Sequence, residues 1–162
     1  MKSFIYEICR WAAVAATICI LISMGGQQSV SHADPHKVME AVCQSADLTN
    51  MQPASNQIVK RFYGIDPSDY EFCALYYPLT NMDVDELLLV KYADSSQADQ
   101  VQSAIENRLT GQKNAFESYG VGQMELLSNH SFSESRSGYS IFAVNTKCDD
   151  VRSAFIAALK EE

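Results

Sequence analysis

The residue types that could carry covalent chemistry are few. Five cysteines occur, and three of them, Cys43, Cys73 and Cys148, lie in the body of the chain. Cys148 stands at the start of the last predicted helix, where the helix dipole lowers a thiol pKa; Asp149 and Asp150 oppose that effect, and no histidine is near in sequence. It is the one candidate for a reactive thiol. In an oxidising compartment one pair among the three could form a disulfide, but spacing does not choose the pair. The alternative is that all three are free and act as small hydrophobic side chains.

Metal and cofactor chemistry find less support. His32, His36 and His130 form no spaced ligand pair. Asp83-Val84-Asp85-Glu86 has the first acids of a calcium loop, but an EF-hand needs Gly at the sixth place and Glu at the twelfth, where Leu88 and Asp94 stand. The acids therefore read as a solvated turn. Walker, dinucleotide, G-x-S-x-G and H-E-x-x-H signatures do not occur in the sequence. No catalytic residue, metal or cofactor is assigned. The binding candidates are polar loop residues that depart from plain packing: Asn81, Asp83 and Asp85 in one loop, Gln123 in another.

These loops flank the stretch that organises the chain, Asp85 to Tyr119. An apolar strand, ELLLVKY, leads into one long amphipathic helix with Val101, Ile105, Leu109, Ala115, Phe116 and Tyr119 at helical spacing. A continuous apolar run suits a strand covered on both faces. The helix is expected from Ser95 or Ser96, with Asp99 completing a capping box, and Gly111 is its weak point. Before this pair, Asp34-Pro35 caps a short helix, LTNMQPAS reads as turn, and a second helix over 56–63 stops at Gly64 with Ile65 folding back on Val59. YEFCALYYPL is an aromatic strand that pairs with ELLLVKY as a hairpin. The aromatic run Phe62, Tyr63, Tyr70, Phe72, Tyr76 and Tyr77 reads as core and hairpin packing rather than a sugar-binding shelf. After the long helix, Gly120-Val121-Gly122 breaks the chain and Gln123 to Ser128 gives one short turn. Residues 130–136 form a polar edge strand, 139–145 a core strand, and 149–160 a closing amphipathic helix. Paired strands with helices between them predict an α+β fold: an antiparallel sheet of about four strands with helices against one face and a long helix after the second strand.

The first 33 residues differ from the rest. Lys2 and Arg10 precede the uncharged run WAAVAATICILISM, and Ser31-His32-Ala33 places small residues where a signal peptidase cuts. The segment is expected to be a signal peptide removed after Ala33, or a retained anchor. Either way the single α+β domain at 34–162 lies outside the cytoplasm, held to a membrane only through that segment. The 12 Lys and Arg against 20 Asp and Glu leave a net charge of −8, with no basic stripe to displace counterions from phosphates. Nucleic acid is not an expected partner.

Gly64-Ile65-Asp66-Pro67, the strand DELLLVKY, the helix carrying Arg108, Gln112, Phe116 and Tyr119, then Gln123, Leu126-Leu127-Ser128-Asn129, Gly138-Tyr139 and the closing helix together resemble one family, the domain-of-unknown-function family numbered 4358. The resemblance runs from about Gln57 to Leu159 and implies an exported, often lipid-anchored domain of clostridia-type bacteria with no assigned reaction. Two features depart from it. The family's Pro after the helix-ending tyrosine is replaced by Gly120-Val121-Gly122, and no lipid-attachment cysteine is present. The reading that follows is a non-enzymatic binding module at the cell envelope, with an envelope protein or cell-wall component as partner. Its alternative is a small exported enzyme or thiol protein using Cys148 or a carboxylate pair.

Overall fold

The computed structural model describes residues 31–160. The leader or anchor expected over residues 1–33 falls outside them as far as residue 30. Among the described residues, five helices and five strands follow in the order α1 (Pro35–Ser45), β1 (Met51–Pro53), α2 (Asn56–Tyr63), β2 (Phe72–Pro78), β3 (Glu86–Lys91), α3 (Ala98–Phe116), α4 (Val121–Asn129), β4 (Ser131–Arg136), β5 (Tyr139–Val144) and α5 (Cys148–Ala158). The sheet is antiparallel throughout, in the order β1-β2-β3-β5-β4. This is the α+β architecture the strand and helix pattern predicts, with the long helix after the β2–β3 hairpin.

The central strands β3 and β5 are buried at every position. Because side chains alternate across a strand, each supplies two cores. Leu88, Val90, Phe142 and Val144 face Val59 of α2, Val101 and Ile105 of α3 and Leu127 of α4. Leu87, Leu89, Ile141 and Ala143 face Val38 and Val42 of α1 and Val151 and Phe155 of α5. Helices thus cover both faces, not one. Two such faces require a three-layer arrangement, since either would otherwise expose a row of large aliphatic side chains to water.

Local chemistry departs from expectation at four other places. Met51–Pro53, within the segment read as turn, adds a short edge strand, and so the sheet has five strands rather than four. Pro53 sits at its end, where the missing N–H breaks no interior pairing. The long helix is preceded by a 3-10 turn, Ser95–Gln97, capped by Asp94: its carboxylate accepts from Ser96 N, and Gln97 reaches back to the amides of Ala93 and Asp94. Asp99 takes no part in that cap. The helix ends at Phe116 rather than Tyr119. Gly120 then turns the chain directly into α4, a full helix over Val121–Asn129 rather than a break and a short turn. The expected Gly64 cap is present, with φ 69° and its N–H on Lys60 O, and Ile65 joins Val59 in the core.

The N-terminal edge of the described chain is tied to the body. Ser31 N donates to Ser137 O at 2.9 Å, Ser31 Oγ to Leu159 O at 3.0 Å, and Tyr139 Oη to Ala33 O at 2.6 Å. Ala33 is buried in the core beneath α1 and α5. Among the described residues no helix is long and apolar enough to cross a membrane.

Candidate functional site

Glu86 is the charged residue in the middle of this architecture. As the first residue of β3 it shares a face with Leu88 and Val90, under α2 and α3, and it is fully buried. A bare carboxylate there is untenable, and three neighbours satisfy it. Arg108 on α3 approaches side-on: Nε lies 3.1 Å from both carboxylate oxygens and Nη2 2.7 Å from Oε2. Gln112, one helical turn later, donates Nε2 to Oε2 at 3.0 Å. Tyr63, the last residue of α2, donates its hydroxyl to Oε1 in a short hydrogen bond. Burial first, and then the Glu86 charge, hold the Tyr63 phenol far above its ordinary pKa, so it remains a donor.

The spacing explains why α3 supplies two of these groups. Ile105, Arg108, Gln112 and Phe116 fall on one stripe of the helix, and the polar pair interrupts the apolar seam where Glu86 must be met. Arg108 is also held from its outer side, with its guanidinium 4.0 Å from the centroid of the Phe62 ring. Phe62 in turn meets Tyr77 edge-on at 5.7 Å.

A cleft of about 250 Å³ opens above this network, between α3 and the loop joining β2 to β3. Its floor and walls include Phe62, Tyr77, Arg108, Gln112 and Phe116, and Asn81, Asp83 and Tyr119 line it as well. Gly111 contributes a stretch of wall without a side chain, and a Cβ placed there would meet nothing within 4 Å. Gln112 is unusual in this wall. Its Nε2 is committed to Glu86, and its Oε1 is buried with no hydrogen-bond donor.

The rim is apolar. The exposed large hydrophobic residues among those described, Leu79, Met82, Tyr119 and Val121, all lie in the β2–β3 loop or at the α3–α4 corner. Gln123 fastens the two segments by donating Nε2 to Met82 O at 2.8 Å. Within the loop, Thr80 Oγ1 donates to Asp83 Oδ2 at 2.8 Å and accepts from Met82 N. At the corner, Gly120 packs so closely that a Cβ would stand 2.6 Å from Phe116 Cδ1.

Of the residues singled out in the sequence, Asn81 and Asp83 come together at the cleft and Gln123 braces its rim. Asp85 does not join them. It lines a separate recess of about 140 Å³ with Asp47, Asn50 and Thr146, and its pKa is raised by burial and then by the charges of Asp83 and Asp47. Cys148 begins α5 far from the cleft in sequence and fold. Its thiol is buried, and burial followed by the Asp149 charge pushes its pKa up. All three body cysteines are free; Cys43 packs on the face beneath α1 and α5, and Cys73 on the face beneath α2 and α3. Phe62 and Tyr77, read as packing, also form cleft wall. Tyr63, Glu86, Arg108 and Gln112 were not singled out as a site. The signal available was a charged residue heading an apolar strand, together with two polar residues inside an apolar helical stripe.

A family model described as a domain of unknown function (DUF4358) matches residues 44–145. That span runs from the end of α1 through β5 and contains the whole sheet, the Glu86 network and the cleft; α5 lies beyond it. No curated protein and no solved structure matches the chain.

Proposed function

The chain belongs to the DUF4358 family, and from that premise we propose that it is a non-enzymatic binding module working outside the cytoplasm. Its contact face is the cleft and rim formed by the β2–β3 loop and the α3–α4 corner. The observation that carries this reading is the concentration of Leu79, Met82, Tyr119 and Val121 at one end of the domain, where Val121 is 85% exposed. Scattered exposed apolar residues are ordinary; four on the two segments beside one cleft, Tyr119 lining it, favour a surface that is covered in use. Beneath them, the Glu86 oxygens are occupied by Tyr63, Arg108 and Gln112. That arrangement fits a rigid floor for recognition better than a general acid or base, which must be free to exchange a proton with substrate.

Export rests on the basic flank, apolar run and small residues at the front of the sequence. The partner would then be a protein or cell-wall component of the envelope. The alternative, a thiol enzyme built on Cys148, has less to support it, because a buried thiol of raised pKa is a poor nucleophile.

Site-specific photocrosslinking in intact cells tests the reading. A crosslinker at Met82 should give a discrete adduct that a crosslinker at Glu40, on α1, does not give. Identical adduct patterns from both positions, or none from Met82, would reject the face. Protease added outside spheroplasts should reach the domain, and full protection would reject the location.

A further inference from the structure

Resting on that binding face, and on the N-terminal segment as the chain's attachment, we propose that the domain stands with the strap at residues 31–33 toward the membrane and the cleft pointing away. The apolar rim is then covered by a protein partner and not by the bilayer. A cluster of exposed apolar residues fits either occupant, and two independent features separate them. The first is charge. Residues 79–85 and 117–129 carry Leu79, Met82, Tyr119 and Val121, and with them Asp83, Asp85, Glu117 and Glu125, but no lysine or arginine. Glu117 and Glu125 are exposed, and Asp83 and Asp85 are half-buried. Segments that lie in a membrane interface set lysine and arginine around their apolar face to meet anionic lipid. Here the apolar side chains are accompanied by the same sign as the lipid, which repels it. The aliphatic side chains of Leu79, Met82 and Val121 gain from burial against apolar surface, which a protein offers and a polyhydroxylated wall polymer largely does not.

The second feature is placement. In the antiparallel pair of β3 and β5, Glu86 lies opposite Val144 and Lys91 opposite Tyr139. The cleft belongs to the Glu86 end, where the β2–β3 loop enters β3 and Gln112 of α3 meets the Glu86 carboxylate. The strap belongs to the other end. Ser31 N donates to Ser137 O in the β4–β5 turn, and Ala33 O accepts from Tyr139. Tyr92 N donates to Gly138 O in the same turn, so the chain enters α3 from the strap end. The 19 residues of α3, about 28 Å long at 1.5 Å each, then run toward the cleft, and the rim lies at and beyond their far end. Between the apolar run ending at Met24 and the strap stand residues 25–31. In any conformation these span at most about 25 Å. That is shorter than α3 alone, so the rim cannot be turned down onto a bilayer that holds Met24.

The test uses the full chain, reconstituted in vesicles of phosphatidylcholine and phosphatidylglycerol that carry an acceptor dye on their headgroups. A fluorescent amino acid replaces either Met82, at the rim, or Arg136, at the end of β4 beside the strap. Energy transfer to the headgroups should be about twofold or more stronger from position 136 than from position 82. In intact cells a photocrosslinker at Met82 should give protein adducts and no lipid adduct. Equal transfer from the two positions, or stronger transfer from position 82, would overturn the orientation. A lipid adduct at Met82 would overturn the protein occupant. Failure of the full chain to float with the vesicles would remove the attachment, and the orientation with it. Loss of every protein adduct at Met82, with the difference in transfer intact, would reject the binding face and its protein occupant while leaving the mounting of the domain in place.

Discussion

Arg108 and Glu86 meet as a side-on ion pair across two elements, with three nitrogen–oxygen contacts between 2.7 and 3.1 Å, and only the arginine reaches solvent. The asymmetry matters. The arginine can lose its partner and turn outward, whereas the carboxylate has nowhere to go.

Removing the cation should therefore be the worse change. Arg108→Met is expected to destabilise by about 3–5 kcal/mol, the usual effect of stranding a buried charge. Glu86→Gln should cost about 1–3 kcal/mol, because Tyr63 and the amide can still hydrogen-bond while Arg108 relaxes to water. Converting both to Met should recover part of the Arg108→Met loss. Urea unfolding of the three variants measures the order. An Arg108→Met protein as stable as the parent would mean that the pair does not hold α3 to the sheet.

Two glycines near the cleft should respond in opposite directions. Gly111 is in the interior of α3 with open space where a Cβ would be, so Gly111→Ala should stabilise the helix by about 1 kcal/mol. It should also narrow the cleft. At Gly120 a Cβ would stand 2.6 and 2.9 Å from Phe116 Cδ1 and Cβ, and Phe116 is itself buried. Gly120→Ala must displace that ring and should cost about 1–3 kcal/mol. Thermal melts of the two variants decide this; shifts of the same sign would contradict the packing described at the α3–α4 corner.

Much of the core was legible because burial leaves a period. ELLLVK and YSIFAV are continuous apolar runs, and both proved to be buried at every position. The same runs also imply cover on both faces, which a pattern of paired strands with helices between them does not by itself divide between the two sides. The Glu86 network was harder to read. Arg108 and Gln112 on a helix usually indicate a solvated flank, and only their place between Ile105 and Phe116 shows otherwise. Tyr63 reaches Glu86 from an element 23 residues earlier, a meeting that depends on tertiary packing and leaves no local pattern. At the start of α3, three residues in a row could cap, and Asp94 prevailed because Gln97 is spaced to close the box with it. Asn81 and Asp83 are marked by a simpler rule, that polar loop residues beside a rigid scaffold are where binding groups gather, and both line the cleft.

Asp85 should make stability depend on pH. Burial raises its pKa above the ordinary 3.8, and the neighbouring Asp83 and Asp47 charges add to this. The folded state therefore holds this proton more tightly than the unfolded state. Stability falls as pH rises from about 3.8 through the raised value, and the deficit persists at neutral pH. Asp85→Asn should thus be more stable than the parent at pH 7, with the advantage vanishing below the ordinary value. Chemical denaturation at pH 7 and at pH 3.5 tests the sign, and an advantage that grows on acidification would refute it.

The last prediction concerns Ser31 and Ala33, which lie on the near side of the cut expected after Ala33. Ser31 closes the β4–β5 turn through Ser137 O and the end of α5 through Leu159 O, and the Ala33 carbonyl accepts from Tyr139. Tyr139 is fully buried, so loss of that acceptor leaves its hydroxyl proton without one in the core beneath α1 and α5, since the neighbouring Lys91 ammonium can only donate. A chain beginning at Ser31 keeps all three bonds; a chain beginning at Asp34 loses them together with the burial of Ala33. The shorter chain should be less stable by about 1–3 kcal/mol, the penalty of one buried group left unmet and weaker bonds lost around it. Urea unfolding of the two purified chains, read by far-ultraviolet circular dichroism, gives the difference directly. Coincident midpoints would show that the strap at residues 31–33 adds nothing to the domain. A shift of the predicted size would make a cut upstream of Ser31 the one that leaves the folded body whole.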